Sequence, residues 1–109
     1  MSDSSLCEAV RRAQRGLVDA DLGGGVIKQR VARPGQGRSG GYRVLMAYRA
    51  KVRSVFLFGF AKSARDNVDD DELASLRDIA KAWLVADHQA LARALAEGLI
   101  QEIKYEEEV

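Results

Sequence analysis

A long segment without acidic residues divides this chain into a basic middle and an acidic end. Between Asp21 and Asp66 there is no Asp or Glu, whereas the same segment holds ten of the 17 Lys and Arg residues. Twelve of the 16 acidic residues lie from Asp66 onward, so the formal net charge of the whole chain is only +1. Like charges crowded into one segment repel one another, and a phosphate polymer relieves that repulsion while releasing its own counterions. The charge distribution therefore predicts a surface that binds nucleic acid.

Length and composition limit the classes of protein that the chain can represent. The 109 residues predict one small domain, residues 1–109, with one hydrophobic core. Cys7 and His88 each occur singly, which excludes an intrachain disulfide, a Cys-rich or His–His metal site and a Cys–His or Ser–His nucleophile pair close in sequence. The longest apolar run, Val55–Ala61, is far shorter than the ~20 residues that span a bilayer, and no signal peptide opens the sequence. We therefore expect a cytoplasmic protein that does not enter a membrane.

The first half of the chain has the pattern of one helix followed by strands. Ser5 and Glu8 fit a capping box at the start of a helix over roughly residues 4–16, with its arginines on the polar side. Residues 23–25 are three glycines, which we interpret as a flexible joint, since the lysine and helix of a phosphate-binding loop do not follow. Alternation predicts three strands, with a glycine-rich loop at 32–41 and a tight turn at 50–51 between them. The strands are expected at residues 26–31, 42–49 and 53–60.

The acidic half has the pattern of two helices. Asp69 and Glu72 fit a second capping box, and a shorter helix begins at Asp87 or at the next residue and ends at Gly98. Residues 99–105 are a possible extra strand. The last strand of the meander is apolar on both faces, which is typical of a strand central in a covered sheet. Because a three-stranded meander is a thin core, we expect a small α+β fold with the two long helices on one sheet face and the basic side chains on the other.

Five cations are candidates for a phosphate site. Lys28 and Arg30 lie two apart on one strand, Arg43 opens the next strand, and Lys62 and Arg65 follow the last strand. If the strands pair consecutively, these side chains converge on one face, where they would neutralise the oxygens that gain charge during phosphodiester cleavage. A lysine or an arginine can also transfer a proton. The alternative is a solvated basic face that binds RNA, DNA or an acidic partner without catalysis, and charge alone favours binding.

Three further residues are candidates for contact with RNA. Arg33 and Arg38 belong to the glycine-rich segment, and the ring of Tyr42 could stack on a base. Tyr48 lies on the same strand face as Tyr42, but we interpret it as a partly buried aromatic of the sheet.

Three segments together form a recognisable signature: GGVIKQRVARPGQG at 24–37, GGYR at 40–43 and FGFAKSARDN at 58–67. They resemble the RelE/HigB-type toxins of bacterial type II toxin–antitoxin systems, and the resemblance covers roughly residues 4–85. The resemblance implies a RelE-like fold and an mRNA interferase, in which the RNA 2′-hydroxyl attacks the scissile phosphate without a metal or cofactor, usually on ribosome-bound message. It implies that Arg43 and Arg65 stabilise phosphate charge, that Lys28 or Arg30 transfers a proton, and that Lys62 belongs to the same cluster.

The resemblance also implies partners and leaves alternatives open. The partners are mRNA, the ribosome and a cognate antitoxin of the helix-turn-helix DNA-binding type. Members usually begin with a strand that this chain lacks before residues 2–6, so we expect an exposed sheet edge that would permit a homodimer. Some members have a base-stacking tyrosine where this chain has residues 68–70, and an arginine where it has Ser63. The alternatives are a non-catalytic member that binds only RNA or its antitoxin, and a gyrase-directed toxin of the related ParE type.

Overall fold

One antiparallel sheet with helices against it organises the chain. The computed structural model describes residues 2–33, 37–65 and 67–104, except for the side chains at 33 and 37–40. Within these residues the strands form one sheet of order β1-β2-β3-β4, so consecutive strands pair. The helices are α1 (Asp3–Gln14), α2 (Asp70–Val85) and α3 (His88–Ala96), and the strands are β1 (Ala20–Gly23), β2 (Val26–Arg33), β3 (Gly37–Arg49) and β4 (Arg53–Ala61). The predicted α+β class is confirmed.

The extra strand of the sheet lies at 20–23 and not at the C-terminal position where it was expected. Ala20 of β1 pairs with Lys28 of β2, while residues 99–104 contain no strand and residue 105 lies outside the described residues. The three glycines end β1 and form the two-residue turn to β2, with φ of 81°, 63° and 83°, which glycine adopts without strain. A Cβ on Gly25 would lie 2.7 Å from the Leu84 Cδ1 atom of α2. The triglycine is therefore a tight turn against a helix, and the flexible joint was a wrong interpretation.

The glycine-rich segment continues two strands instead of forming a loop over 32–41. β2 extends to Arg33 and β3 begins at Gly37, and these two residues pair across a local irregularity of the ladder. Ladder pairing gives hydrogen-bond partners to backbone amides in the described part of this segment. Residues 34–36 lie outside the described part of the chain.

Helices cover both faces of the sheet, which corrects the expectation that they share one. Val10 and Ala13 of α1 pack on Met46, whereas Ala80 of α2 packs on Leu45. Adjacent residues of a strand point to opposite faces, so α1 and α2 lie on opposite sides of β3. β3 is accordingly the strand buried on both faces, and β4 lies at the edge of the sheet, contrary to the central position expected for it.

A buried arginine ties α1 to the edge of β2. Arg12 is only 4% exposed, although it was expected on the polar side of its helix. Its guanidinium donates to the carboxylates of Glu8 (2.9 Å) and Asp19 (3.2 Å) and to the carbonyl of Arg30. The Asp19 carboxylate also accepts from the amide of Arg30 at 2.6 Å. Together with β1, these groups occupy the edge of β2 that an unpaired strand would expose.

The caps of the helices agree with the sequence in α2 and α3 but not in α1. Ser2, and not Ser5, caps α1, since the Ser2 hydroxyl accepts from the Ser5 amide at 3.2 Å and Glu8 is engaged by Arg12. The capping box of Asp69 and Glu72 at the start of α2 is confirmed. Asp87 caps α3, and the predicted stop at residue 98 has a φ of 74°.

The hairpin between β3 and β4 and the end of α2 are joined by one side chain. Arg53 donates to the carbonyls of Trp83 (2.6 Å) and Ala86 (2.7 Å), and α2 has no basic residue of its own in its last turn. A guanidinium there satisfies carbonyls that the helix leaves without partners. Within the described residues, no helix has both the length and the apolar character needed to cross a membrane.

Candidate nucleic-acid interface

The register of the strands brings three of the predicted cations to one face of the sheet. Arg30 lies opposite Arg43, and Lys28 lies opposite Leu45. Residues that lie opposite each other share a face, and so do residues two apart on a strand. Lys28, Arg30 and Arg43 therefore lie together, and we call the surface formed by these three residues and Phe58 the cationic face. It is on the α2 side of the sheet, not on a side free of helices, because Leu45 packs in the same cluster as Ala80 of α2.

The three cations differ in exposure. Arg30 is exposed, Lys28 is half-buried and Arg43 is only 7% exposed, with one Nη atom 3.4 Å from the carbonyl oxygen of Tyr42. Within the part of the chain that the structure describes, neither Lys28 nor Arg30 takes part in an ion pair. Like charges that face each other across a ladder repel, and an exposed cation on a sheet face can bind an anion. Arg30 and Lys28 are the charges of this face that are open to solvent and take part in no ion pair among the described residues.

Arg65 is held by an intramolecular carboxylate. Its two Nη atoms donate to the two Oε atoms of Glu72, at 3.1 and 2.5 Å, and its Nε donates to the carbonyl of Asn67 at 2.8 Å. Glu72 also accepts from the backbone amide of Asp69 at 3.0 Å as part of the capping box. The hydrogen bond from Arg65 lowers the pKa of Glu72 to about 2 and raises the pKa of Arg65. Arg65 therefore directs its bidentate fork at Glu72, and three of its five N–H groups are engaged.

An exposed phenylalanine adjoins the cations, and the sequence pattern gave no indication of it. Phe58 is 38% exposed and lies opposite Leu45, so it shares the face of Lys28 and Arg43. The alternation of β4 is interrupted, because β4 has one more residue than β3 between the pairs Leu45–Phe58 and Met46–Phe56. Such a bulge cannot be recognised in an apolar strand without its partner. The register of the sheet is the signal that would have identified Phe58.

The remaining predicted residues lie in the turn after β4, lie on the opposite face of the sheet, or have no described side chain. Lys62 is exposed in the turn after β4, and its backbone amide donates to the carbonyl of Gly41 at 3.1 Å. Tyr42 packs on Ala9 of α1, on the opposite face of the sheet. The side chains of Arg33 and Arg38 lie outside the described residues, although both backbones belong to strands.

A groove on the described surface lies outside the cationic face. It has a volume of about 1080 Å³ and lies between the β3–β4 hairpin, α1 and the segment from α3 to Ile103. The hairpin begins at Arg49, six residues along β3 from Arg43, which corresponds to ~20 Å of extended strand. The groove and the cationic face are therefore separate features of the surface.

The fold and the cationic face together define a small α+β protein whose sheet carries a cluster of cations. The model of a family described as the RelE toxin of the RelE/RelB toxin–antitoxin system matches residues 1–103. Since this match covers nearly the whole chain, the chain belongs to the RelE toxin family, and the resemblance found in the sequence is confirmed at that level. Comparisons with curated proteins and with solved structures give no match. The chain is therefore the toxin component of a toxin–antitoxin system, and its partner is an antitoxin.

Proposed function

We propose that this toxin is an mRNA interferase, a metal-independent endoribonuclease that cleaves ribosome-bound message in the cytoplasm. The observation that carries the proposal is the cross-strand pair of Arg30 and Arg43, with Lys28 two residues away on the same face. Among the described residues neither Arg30 nor Lys28 takes part in an ion pair, so both charges are available to an anion. A bound phosphodiester would pair with these cations, and the same cations would stabilise the further negative charge that develops on the phosphate during cleavage.

The proposed reaction is an internal transfer at one phosphate. The 2′-oxygen forms a bond to phosphorus, the bond from phosphorus to the 5′-oxygen breaks, and the products carry a 2′,3′-cyclic phosphate and a 5′-hydroxyl. Arg30 and Arg43 hold the phosphate oxygens, and Arg43 is the more rigid of the two because it is buried. The 2′-hydroxyl releases its proton to solvent water as its oxygen attacks, and the 5′-oxygen takes up a proton as its bond to phosphorus breaks. Of the residues on this face, Lys28 suits donation of the second proton best, because its ammonium can give up a proton whereas an arginine remains charged in proteins.

The engagement of Arg65 gives it a different role from the one expected from the sequence. A guanidinium that already binds a carboxylate in bidentate fashion adds little net charge to a phosphate site. We therefore place the phosphate charge mainly on Lys28, Arg30 and Arg43, with Lys62 as a further exposed cation near the end of β4. Arg33, Arg38 and Tyr42 stay predicted RNA contacts.

We propose that a helix-turn-helix antitoxin inhibits the toxin by covering the cationic face with an acidic segment. Such a segment would place carboxylates where the RNA phosphates bind, so the antitoxin and RNA would compete for Arg30. The homodimer through a sheet edge stays a prediction, and β1, Arg12 and Asp19 already occupy the edge of β2. Size measurement of the isolated toxin tests it.

A non-catalytic RNA-binding member is the second candidate function, and two observations favour it. Arg65 is neutralised by Glu72, and Arg43 is almost fully buried, so fewer cations are available than the sequence suggested. Binding needs only the exposed charge, whereas cleavage needs groups that hold the phosphate and transfer protons.

Expression in bacterial cells distinguishes the two functions. We expect growth arrest and new 5′ ends in mRNA with the wild type, and neither with Arg30→Ala, because Arg30 is exposed and its loss leaves the core intact. The matched control is Arg93→Ala, which removes an exposed arginine from α3 and should behave as the wild type. RNA binding without new ends from the wild type would establish the non-catalytic function, and intact message with a DNA-damage response would indicate a gyrase target.

A further inference from the structure

Phe58 is an exposed aromatic ring where a soluble protein usually avoids one. Seven large apolar residues are exposed within the described part of the chain, and Phe58 is the aromatic one among them. The others are aliphatic and do not lie between the cations. An exposed aromatic face beside positive charge is the combination with which proteins bind unpaired bases, because every base has a π-face and brings a phosphate with it.

The ring of Phe58 is held in place from two sides. Its centroid lies 5.9 Å from that of Phe60, with the ring planes tilted by 41°. The Arg65 guanidinium lies 6.0 Å from the Phe58 centroid and 5.7 Å from the Phe60 centroid. Arg65 is itself fixed by its bidentate bond to Glu72. Contacts that restrict the ring reduce the conformational entropy lost when a ligand stacks on it.

The position of Phe58 relative to the cations fits one nucleotide. Phe60 lies opposite Arg43, so Phe58 is a diagonal neighbour of Arg43. Diagonal neighbours across a ladder are about 7–8 Å apart, a separation that long side chains and aromatic rings bridge. A nucleotide whose phosphate is bound at Arg43 and Arg30 could therefore place its base, or the adjacent one, against the ring.

We propose that Phe58 is the stacking platform for one unpaired RNA base, and that Glu72 is a positioning residue that holds Arg65 against the platform. This inference rests on the proposed RNA binding but not on cleavage. In this proposal the Arg65–Glu72 pair supports the ring of Phe58 and does not bind a phosphate. The chain has no tyrosine after its last basic cluster, so the aromatic ring for base stacking comes from β4.

The test compares base-containing RNA with RNA that lacks single bases. Single-stranded oligonucleotides with 2′-O-methyl groups cannot be cleaved through the 2′-oxygen, so binding is measured without turnover. We expect the wild type to lose about tenfold in affinity when one base is removed and its phosphate is kept. Phe58→Leu should bind intact RNA about tenfold more weakly and should not distinguish it from the abasic RNA. Phe58→Tyr should retain the discrimination, and Leu99→Ala, which shortens another exposed apolar side chain, should have no effect.

Glu72→Gln separates positioning from direct contact. Glutamine has one acceptor oxygen and no charge, so it cannot bind both Nη atoms of Arg65 in bidentate fashion, and Arg65 would be released from the ring and would gain net charge. We expect tighter binding of the abasic RNA and a smaller difference between the two RNAs. A simple loss of folding would weaken both equally and is checked by thermal unfolding.

The outcomes separate the inference from the function on which it rests. If Phe58→Leu distinguishes intact from abasic RNA as well as the wild type does, the stacking platform is wrong while the RNA-binding function stands. If the wild type shows no salt-dependent RNA binding, the proposed function fails and the platform fails with it.

Discussion

Gln29 offers a test of the sheet register, because it lies between two residues of the cationic face and points to the other face. Its side chain is 0% exposed and makes three hydrogen bonds. The Nε2 atom donates to the carbonyls of Ala9 and Leu17, both at 3.1 Å, and the Oε1 atom accepts from the amide of Asp19 at 2.8 Å. The side chain thus joins β2 to α1 and to the segment that leads into β1.

Gln29→Leu should lower the free energy of unfolding by about 2 kcal/mol. Each hydrogen bond contributes about 1 kcal/mol net, and the greater hydrophobicity of leucine offsets roughly 1 kcal/mol of the sum. Because small domains unfold with about 1–3 kcal/mol per molar urea, the midpoint of urea unfolding should fall by about 1 M with an unchanged slope. Salt-dependent RNA binding by the folded variant should be unchanged, since the side chain lies on the α1 face.

Arg30→Leu is the matched control for this prediction. It introduces leucine one residue further along β2, where the side chain is exposed, so stability should change by no more than about 0.5 kcal/mol while RNA binding weakens. The register would be refuted if Gln29→Leu left stability unchanged and weakened RNA binding, or if Arg30→Leu unfolded the protein.

Three further predictions follow from single contacts. Arg30→Ala should reduce the slope of log affinity against log salt for single-stranded RNA by about 0.7, the value for one lost phosphate contact, and an unchanged slope would place Arg30 outside the interface. Because the bond to Arg65 lowers the pKa of Glu72 from 4.5 to about 2, the stabilisation from the Glu72 carboxylate is complete above pH 4.5 and is lost as the pH falls towards 2. Melting temperatures should therefore fall more steeply over that range for the wild type than for Glu72→Gln, and parallel curves would contradict the ion pair. Gly25→Ala and Gly98→Ala both place alanine at positive φ, at a cost of about 1 kcal/mol. Urea unfolding should show the greater loss of stability for Gly25→Ala, because its Cβ would lie 2.7 Å from a side chain of α2. Equal losses would show that α2 does not pack on the turn.

The parts of the fold that were predictable depend on local patterns. The capping box of Asp69 and Glu72 predicted the start of α2 because both of its hydrogen bonds lie within four residues. The alternation of β2 placed Lys28 and Arg30 on one face, and this spacing is independent of the rest of the fold.

The parts that were missed depend on partners distant in the sequence. β1 has only four residues, and its pairing with β2 and the support of the turn by α2 are not visible in its own sequence. The positions of α1 and α2 on opposite faces follow from which apolar side chains meet across β3, and periodicity does not contain that information. Arg65 was expected to bind a phosphate. Its partner Glu72 lies seven residues later and across a turn, and no local sequence pattern indicates that the two side chains form an ion pair.

The most direct test of the proposed ribonuclease is the chemistry of the RNA ends that the purified toxin leaves on message bound to purified ribosomes. The account predicts fragments with a 2′,3′-cyclic phosphate on one side of the cut and a 5′-hydroxyl on the other, formed by the wild type and by Arg93→Ala but not by Arg30→Ala. Intact message with a well-folded wild type, or fragments that end in a 3′-hydroxyl, would contradict cleavage by the 2′-oxygen at the cationic face.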